Sequence, residues 1–510
     1  MTITHLLEER ACSLGDKAFL ICDGEEQSFA YVDEMATRVA ANLGAMGVAK
    51  GDKVVLLLGN CIEFVYLMLG LGRIGALMVP VNPLLKPLEI AYIVDHCDAE
   101  TLVTIPEFAP LCEKAKALVP RLSRIFITGD GAEGFDRFAS LLDPVAEVPE
   151  IVATPEDDAA IIYTSGTTGT PKGVVLTHRN YLANARMLMH VIPMGLDDRF
   201  LMVLPLFHVN AQVTSVLVPL SASATVVMTR KFAPLSILPF IEKYRATVMS
   251  AVPTIYMVMC RMMQAEPRDI SSIRVFASGA APLPESIYRA AQEVLKKPLI
   301  MGYGLTEATC ASAVADYRDP IKWDSVGSPL RYTSIRIVGE DGKEVPIGEV
   351  GEILVSGPTV MKGYYKDPEA TAEVIKGGWL HTGDLGRYDE DGYLYIAGRL
   401  KDMIIRGGQN IYPAQVENVL SVMPGVEECC IVGVHEERWG QEVLAVVKRA
   451  EGSALTEQNV IAYCREHLAV YKCPRFVEFL DELPKTATGK IKKAELANQF
   501  ADLVTRRRQS

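Results

Sequence analysis

The sequence predicts an α/β protein with a large N-terminal domain and a smaller α+β domain at its C-terminal end. Three observations support this fold class. Apolar runs of strand length alternate with amphipathic helical runs in the first half, shorter extended pieces with Gly and Asp turns follow residue 330, and a compact mixed segment follows Asp402. A length of 510 residues also exceeds that of one ordinary domain. We therefore expect domains over residues 1–400 and 401–510.

The N-terminal elements follow from the spacing of apolar residues. Helices are predicted over residues 61–69, capped by Asn60, and over residues 87–97. Strands are predicted at residues 54–58, 77–81 and 101–105. Because parallel strands need long crossover connections, which are usually helices, this alternation indicates parallel sheets in α/β layers.

The later elements are shorter. Extended pieces are predicted at residues 334–338, 351–355 and 392–396. In the last hundred residues we expect, in order, a helix from Pro413, strands near residues 428–434 and 442–448, a helix over residues 457–467 and a strand over residues 475–480.

Residues 200–229 carry no formal charge, a stretch long enough to cross a bilayer. Two prolines and the polar side chains of His208 and Asn210 would break a lipid-facing helix, so we expect a buried strand–turn–helix–strand here. The first ten residues also lack the basic region of a signal peptide. We therefore expect no transmembrane segment.

Composition and charge exclude several classes of protein. Hydrophobic residues make up 49% and charged residues 22%, which is typical of globular proteins and excludes a disordered or fibrous chain. The net charge of −12 argues against a nucleic-acid-binding protein. Eleven cysteines occur without a C-x-x-C pair or zinc spacing, which favours reduced thiols and a cytoplasmic location.

One motif is misleading. Gly70, Gly72 and Gly75 match the dinucleotide-binding pattern G-x-G-x-x-G. That pattern binds a dinucleotide only where it follows a strand and opens a helix, whereas here a predicted helix precedes it and a predicted strand follows it. We therefore interpret the three glycines as sites of close helix packing.

A second glycine-rich segment, residues 163–173, has the composition of a phosphate-binding loop. Glycines let backbone N–H groups turn toward an anion, hydroxyls add neutral donors, and a lysine adds positive charge. The spacing does not match a Walker A loop, and the simpler alternative is a polar surface loop. The candidate phosphate-binding residues are Thr164, Ser165, Gly166, Thr167, Thr168, Gly169 and Lys172.

Seven further motifs follow this loop in a fixed order. Together they resemble the adenylate-forming superfamily, which comprises acyl-CoA synthetases, luciferases and the adenylation domains of peptide synthetases. The resemblance covers nearly the whole chain. The motifs are Phe207-His208, the SGAAP run at 278–282, the GYGLTE run at 302–307, HTGD at 381–384, GRLKD at 398–402, GGQN at 407–410 and PKTATGK at 484–490.

This resemblance implies a fold and a reaction. The family fold has a large N-terminal domain of layered α/β subdomains with a small β-barrel-like part, and a small mobile C-terminal domain. The family joins a carboxylic acid to ATP, releases pyrophosphate, and then transfers the acyl group from the adenylate to a thiol. ATP, CoA and Mg²⁺ are the expected co-substrates and cofactor.

The family's nucleotide-binding roles carry over to matching positions. Thr306 is expected on the α-phosphate, and Glu307 with Thr168 on Mg²⁺, which prefers carboxylate and phosphate oxygens. Lys490 is the expected catalytic lysine, because an ammonium group can bridge an attacking carboxylate and a phosphate; a solvated basic segment is the alternative. The resemblance assigns adenine and ribose to Gly279, Ala280, Ala281, Pro282, Tyr303, Asp384 and Arg399.

Three further roles complete the assignment. The resemblance makes Lys401 the hinge about which the small domain rotates between the two half-reactions. It places Gly407, Gly408 and Gln409 along the CoA tunnel. The acyl pocket is assigned to Phe207, His208, Val209, Gly302 and Gly304.

The residues around the pocket favour an apolar monocarboxylic acid. The aspartate that binds the substrate ammonium in amino-acid-activating relatives is absent near Phe207, and no arginine precedes Gly302 to bind a second carboxylate. We expect a medium- or long-chain fatty acid, with an aromatic acid such as a cinnamate or benzoate as the alternative. Loading of a carrier protein, a luciferase-like oxidation and a non-catalytic binding role stay open, as does the oligomeric state, for which a homodimer is one option.

Overall fold

The computed structural model describes residues 1–130, 133–164, 171–231, 233–485 and 491–509. These residues form a mixed α/β structure with four sheets, named A to D below. The helices before residue 400 are Ile3–Leu14, Phe29–Ala45, Ile62–Gly70, Pro87–His96, Ala109–Leu118, His178–Val191, Val218–Ala222, Ile237–Tyr244, Pro253–Ala265, Glu285–Val294 and Pro368–Val374. The later helices are Pro413–Ser421, Glu457–His467, Lys493–Gln499 and Leu503–Gln509.

Sheet A has nine strands and forms one edge of the candidate site. Its six central strands are parallel, and short antiparallel strands close both ends. The carboxyl ends of the parallel strands therefore lie along the same edge. In spatial order the strands are Ser328–Pro329, Ala313–Val314, Leu299–Tyr303, Val275–Ser278, Val248–Ala251, Arg199–Met202, Thr225–Met228, Ala18–Cys22 and Glu25–Ser28.

Sheet B has eight strands, parallel except for the hairpin that flanks the predicted phosphate loop and the short strand beside it. The predicted strands near residues 54, 77 and 101 all belong to this sheet, which confirms the α/β layers. In spatial order its strands are Gly363–Tyr364, Lys172–Thr177, Asp158–Thr164, Leu77–Pro80, Lys53–Leu57, Thr101–Thr104, Arg124–Ile127 and Asp136–Arg137.

Alternation along the strand Lys53–Leu57 explains the layers. Val54 and Leu56 contribute to the large core shared with sheet A, whereas Val55 and Leu57 pack against the helices Pro87–His96 and Ala109–Leu118 on the opposite face. Successive strand residues point to opposite faces, so an unbroken apolar run is buried on both.

Sheet C is antiparallel and has five strands, Ser334–Val338, Gly351–Ser356, Trp379–Tyr388, Ile375–Lys376 and Leu394–Arg399. Sheet D lies in the C-terminal part and has the strands Gln409–Ile411, Ile404–Arg406, Gly440–Arg449, Val426–Glu436 and Phe476–Phe479. Both faces of sheet D are covered by apolar clusters, as expected of a small α+β domain. The boundary near residue 400 stays a prediction.

The uncharged stretch folds as predicted. Its ends form two parallel strands of sheet A, Arg199–Met202 and Thr225–Met228, and a π-helical segment, Ala211–Leu217, leads into the helix Val218–Ala222 between them. Among the described residues, no helix combines the length and the apolar character that a membrane crossing requires.

Two local predictions have different outcomes. The glycines near residue 70 do mark close packing, because a Cβ on Gly70 would lie 2.2 Å from the Ala36 carbonyl oxygen. The helix cap at Asn60 is wrong: Cys61 occupies the cap position of the helix Ile62–Gly70, without a side-chain hydrogen bond. The Asn60 amide instead binds the backbone of Leu204 and Leu206, so tertiary hydrogen bonds replace the local cap.

Candidate active site

The predicted acyl and adenine motifs lie together at the carboxyl edge of sheet A. Gly279 and Ala280 follow the strand Val275–Ser278, and Gly304 follows the adjacent strand Leu299–Tyr303. The segment containing Phe207 follows the strand Arg199–Met202, which lies two positions further along the sheet. In parallel sheets such an edge is where ligands bind.

Backbone geometry explains the small residues at this edge. Ala280 has a φ of 65°, a conformation that is uncommon for a residue with a side chain and that often occurs at functional sites. A Cβ on Gly304 would lie only 1.7 Å from the Cys310 carbonyl oxygen, so only glycine fits there. Of the next two predicted adenine residues, Ala281 is half-buried and Pro282 is exposed.

A network of three side chains joins sheets A and C. The Tyr303 hydroxyl donates a hydrogen bond to Asp384 Oδ2 at 2.8 Å, and Arg399 Nε lies 3.2 Å from Asp384 Oδ1. Asp384 and Arg399 are direct cross-strand partners, which fixes their separation. Burial and the neighbouring Asp384 charge raise the pKa of Tyr303 well above its usual value, so its hydroxyl stays a donor.

The turn before Asp384 is shaped by one carboxylate. Glu352 Oε2 lies 2.9 Å from His381 Nδ1, and Glu352 Oε1 accepts a hydrogen bond from the Gly383 N–H at 3.1 Å. The Thr382 hydroxyl donates to the Ile353 carbonyl and accepts from the Asp384 N–H. These contacts position Asp384, and His381 takes part in them through Glu352.

A second network involves a residue that the sequence analysis missed, Tyr364. Its hydroxyl donates a hydrogen bond to Glu307 Oε1 at 3.1 Å. Lys172 Nζ lies 5.0 Å from the centroid of the Tyr364 ring, within the range of a cation–π contact. The predicted phosphate lysine and the predicted metal carboxylate are thus connected through one tyrosine.

The rest of the predicted phosphate site is only partly described. Thr164 and Lys172 face each other across the hairpin that encloses the loop, and Thr306 begins a short 3₁₀ turn that includes Glu307. The predicted residues Ser165, Gly166, Thr167, Thr168 and Gly169 lie outside the described residues.

The acyl-pocket motif is held from two sides. The Asn60 amide donates to the Leu204 carbonyl and accepts from the Leu206 N–H. Gln212 Nε2 donates to the Leu206 carbonyl at 2.8 Å. The rings of Phe207 and His208 then lie half-buried with their centroids 4.4 Å apart.

The other pocket candidates pack tightly. Val209 is buried. Gly302 faces the strand Ala313–Val314, where an added Cβ would lie 3.2 Å from Val314 Cγ2. A side chain on Gly302 would therefore push against a neighbouring strand.

The predicted CoA glycines form a tight hairpin turn. Gly407 and Gly408 have φ angles of 58° and 80°, which glycine adopts without strain, and they connect the strands Ile404–Arg406 and Gln409–Ile411. A Cβ on Gly407 would lie 2.7 Å from Trp439 Cε3. Gln409 is exposed at the start of the second strand.

The predicted hinge directly follows the strand Leu394–Arg399. Lys401 is exposed in a 3₁₀ turn, Leu400–Asp402, directly after Arg399. Lys490 lies outside the described residues. Of the neighbouring lysines, Lys485 pairs with Glu428 at 2.5 Å and Lys493 with Glu417 at 2.6 Å. These two lysines form ion pairs within the C-terminal part of the chain, whereas Lys492 is exposed and pairs with Glu495.

Comparison with known proteins identifies the family. Residues 7–365 match the family described as AMP-binding enzyme, and residues 415–490 match the AMP-binding enzyme C-terminal domain. The chain therefore belongs to the AMP-binding, adenylate-forming enzyme family.

Similar proteins include a feruloyl-CoA synthase from an Amycolatopsis species, 39% identical over 94% of each chain. A long-chain-fatty-acid–CoA ligase, FadD13, from Mycobacterium tuberculosis is 35% identical over 94% of each chain. A crystal structure of the anthranilate CoA ligase AuaEII with anthranoyl-AMP has a TM-score of 0.92 at 30% identity, over 99% of this chain and 98% of that one.

These relatives define the class of enzyme. The chain is an AMP-forming acid–thiol ligase, an acyl- or aryl-CoA ligase of the adenylate-forming family. The CoA ligases of this family use ATP and CoA. The predicted fold class, with a large N-terminal and a small C-terminal domain, is confirmed.

Proposed function

We propose that this enzyme activates an apolar monocarboxylic acid as its adenylate and transfers the acyl group to CoA. One observation carries the proposal: the five-residue segment from Tyr303 to Glu307 contacts both networks of the site. Its first residue binds Asp384 and its last accepts from Tyr364, beside Lys172. A nucleoside bound at one end would thus have its phosphates at the other.

In the first half-reaction, a carboxylate oxygen of the acid forms a bond to the α-phosphorus of ATP. The bond from that phosphorus to the bridging oxygen breaks, and pyrophosphate leaves. Asp384 would accept hydrogen bonds from the ribose hydroxyls, Thr306 would contact the α-phosphate, and Lys490 would offset the repulsion between the two anions.

In the second half-reaction, the CoA sulfur attacks the carbonyl carbon, AMP leaves, and the thiol proton is released. Rotation about Lys401 would bring the turn at Gly407 to the adenylate, where the absence of side chains permits close approach. This role supports a division of the chain near residue 400. Lys401→Pro should slow thioester formation from supplied acyl-adenylate and leave pyrophosphate release unchanged; an unaltered second half-reaction would contradict the hinge.

The residues present fit Mg²⁺. The described residues contain no cluster of three or more His, Cys, Asp or Glu side chains that could hold a metal by themselves. Magnesium usually binds through one or two carboxylates and the substrate phosphates, which suits Glu307, with Thr168 as the second predicted ligand. When bound, the ion would neutralise charge on the phosphates.

The substrate we favour is a medium- or long-chain fatty acid. The sequence around Phe207 lacks the aspartate of amino-acid-activating relatives, which supports an apolar tail, and FadD13 is named for long-chain fatty acids. An aromatic acid is the second candidate, because the feruloyl-CoA synthase has the higher identity and an aromatic ring, Phe207, lies at the predicted pocket.

A cytoplasmic location and action without nucleic acid complete the proposal. All eleven cysteines are free thiols, as expected in a reducing compartment, and the net charge of −12 disfavours nucleic-acid binding. A homodimer is one candidate for the oligomeric state, and size-exclusion chromatography of the purified protein would test it.

The proposal is tested with a panel of fatty, aromatic and amino acids, each incubated with the enzyme, MgATP and CoA. We expect AMP and the corresponding acyl-CoA, detected by mass spectrometry, from apolar monocarboxylic acids only. Faster turnover with a phosphopantetheinyl carrier protein than with CoA would favour the carrier-loading alternative. Preference for an amino acid would contradict the proposed substrate class.

A further inference from the structure

Tyr364 occupies a defined place between two charged groups of the site. It lies on the two-residue strand Gly363–Tyr364, directly opposite Val174. Lys172 is two residues before Val174 on the same strand, so its side chain lies on the same face as that of Tyr364. The register of this pairing therefore determines the contact between the lysine and the ring.

The segment from Met361 to Tyr364 also binds Glu307. The Met361 N–H donates to the Glu307 backbone carbonyl at 2.8 Å, and the Tyr364 hydroxyl donates to the Glu307 side chain. Tyr364 itself is fixed from behind, because its N–H donates to the Thr371 hydroxyl at 2.8 Å. The carboxylate and the lysine thus both contact a tyrosine whose backbone is held in place.

Lys172 and Glu307 have opposite charges and share this neighbour, yet they form no ion pair in the part of the chain that the structure describes. The Lys172 ammonium faces the ring, and the Glu307 carboxylate faces the hydroxyl. An ion pair would use up the donors that a phosphate needs and the oxygens that Mg²⁺ needs. Contacts with a neutral side chain orient both groups and leave their charges available.

We propose that Tyr364 is a positioning residue that keeps Lys172 and Glu307 apart and orients both toward the phosphates and the metal ion of MgATP. The inference rests on the proposed function and adds a residue to it. The hydroxyl orients the carboxylate, and the ring holds the ammonium group, so the two parts of the side chain have separable effects.

Binding measurements separate the two effects without turnover. Isothermal titration calorimetry would compare the affinity for MgATP with the affinity for metal-free ATP, in the absence of any acid. Tyr364→Phe removes the hydroxyl and keeps the ring, so MgATP affinity should fall about tenfold while metal-free ATP affinity stays nearly unchanged. Tyr364→Leu also removes the ring, so both affinities should fall.

Tyr365→Phe is the matched control. Tyr365 is the next residue, and its hydroxyl donates a long hydrogen bond, 3.4 Å, to Asp98 Oδ2. This variant should bind MgATP like the wild type. Thermal unfolding of all three variants checks that each is folded.

A double-mutant cycle distinguishes positioning from a purely structural role. If Tyr364 acts through Glu307, then Tyr364→Phe should change MgATP affinity less than about twofold in a Glu307→Gln background. Full additivity of the two changes, or an equal loss of MgATP and metal-free ATP affinity in Tyr364→Phe, would overturn the inference.

Failure of the inference and failure of the proposed function give different results. A wild-type enzyme that binds MgATP and forms AMP, combined with a Tyr364→Phe variant of unchanged MgATP affinity, refutes only the role of Tyr364. A wild-type enzyme that binds no ATP refutes the proposed function, and the inference with it.

Discussion

Both networks of the site pair a tyrosine hydroxyl with a carboxylate, but they differ in where the cationic side chain lies. In each, a tyrosine hydroxyl donates to a carboxylate: Tyr303 to Asp384, and Tyr364 to Glu307. Arg399 binds Asp384 directly, whereas Lys172 lies over the ring of Tyr364 and does not touch Glu307. In terms of the predicted roles, the carboxylate expected on the ribose hydroxyls has a cationic partner, whereas the carboxylate expected on Mg²⁺ has none among the described residues.

The two networks also differ in how deeply their residues are buried. Asp384 is buried at 7% exposure and is held by cross-strand pairing with Arg399, while Glu307, Tyr364 and Lys172 are all half-buried. We therefore expect changes in the Asp384 network to affect stability as well as ATP binding. Changes in the Glu307 network should mainly affect the metal requirement.

The largest effect should come from a residue outside both networks. Lys490→Ala should reduce adenylate formation by about 10²–10³-fold, because it removes one preorganised cationic donor from the transition state. Thioester formation from supplied acyl-adenylate should stay close to that of the wild type, and MgATP affinity should change little. Equal loss of both half-reactions would contradict the assigned role; Lys492→Ala is the control.

Glu307→Gln should have the next largest effect. The amide cannot supply a charged oxygen to Mg²⁺, so the magnesium concentration for half-maximal pyrophosphate release should rise about tenfold or more. A magnesium titration with ATP held constant measures this. If the midpoint were that of the wild type, Glu307 would not bind the metal.

Asp384→Asn should give the complementary result. We expect the KM for ATP to rise about tenfold, since a hydrogen-bonded carboxylate is lost, while the magnesium midpoint stays unchanged. The melting temperature should also fall, because the buried hydroxyl of Tyr303 and the guanidinium of Arg399 lose their charged partner. A shifted magnesium midpoint in this variant would remove the distinction between the networks.

Tyr303→Phe should have the smallest effect. Loss of one buried hydrogen bond to a carboxylate should lower the free energy of unfolding by about 1–3 kcal/mol, measured by urea denaturation. Tyr388→Phe in sheet C is the control, because its hydroxyl makes, among the described residues, only a 3.5 Å hydrogen bond to the Ile335 carbonyl. Equal destabilisation of the two variants would mean that the contact between Tyr303 and Asp384 contributes nothing specific.

Much of the fold could be predicted from local patterns. The buried strands of sheet B are continuous apolar runs, and the helix Glu457–His467 has the bounds that its periodicity predicts. Capping was less predictable: Asn60 has the side chain of a helix cap, but its amide binds Leu204 and Leu206 instead. Nothing near Asn60 in the sequence identifies partners more than 140 residues away.

Site residues that lie in family motifs could be predicted from the sequence. A residue whose contacts depend on the register of strand pairing could not. Tyr303, Glu307, Asp384 and Arg399 lie in recognisable motifs, and the structure brings them into two networks joined by one short segment. Tyr364 was missed because its role depends on how a two-residue strand pairs with the strand Lys172–Thr177. A glycine followed by two tyrosines in an extended segment was the only local signal.

The most direct test of the account is exchange of labelled pyrophosphate into ATP, measured without CoA and with one carboxylic acid at a time. We predict exchange that requires both magnesium and an apolar acid, since the adenylate must form reversibly before any thiol is present. Absence of exchange with every acid, or cleavage of ATP to ADP and phosphate, would contradict it.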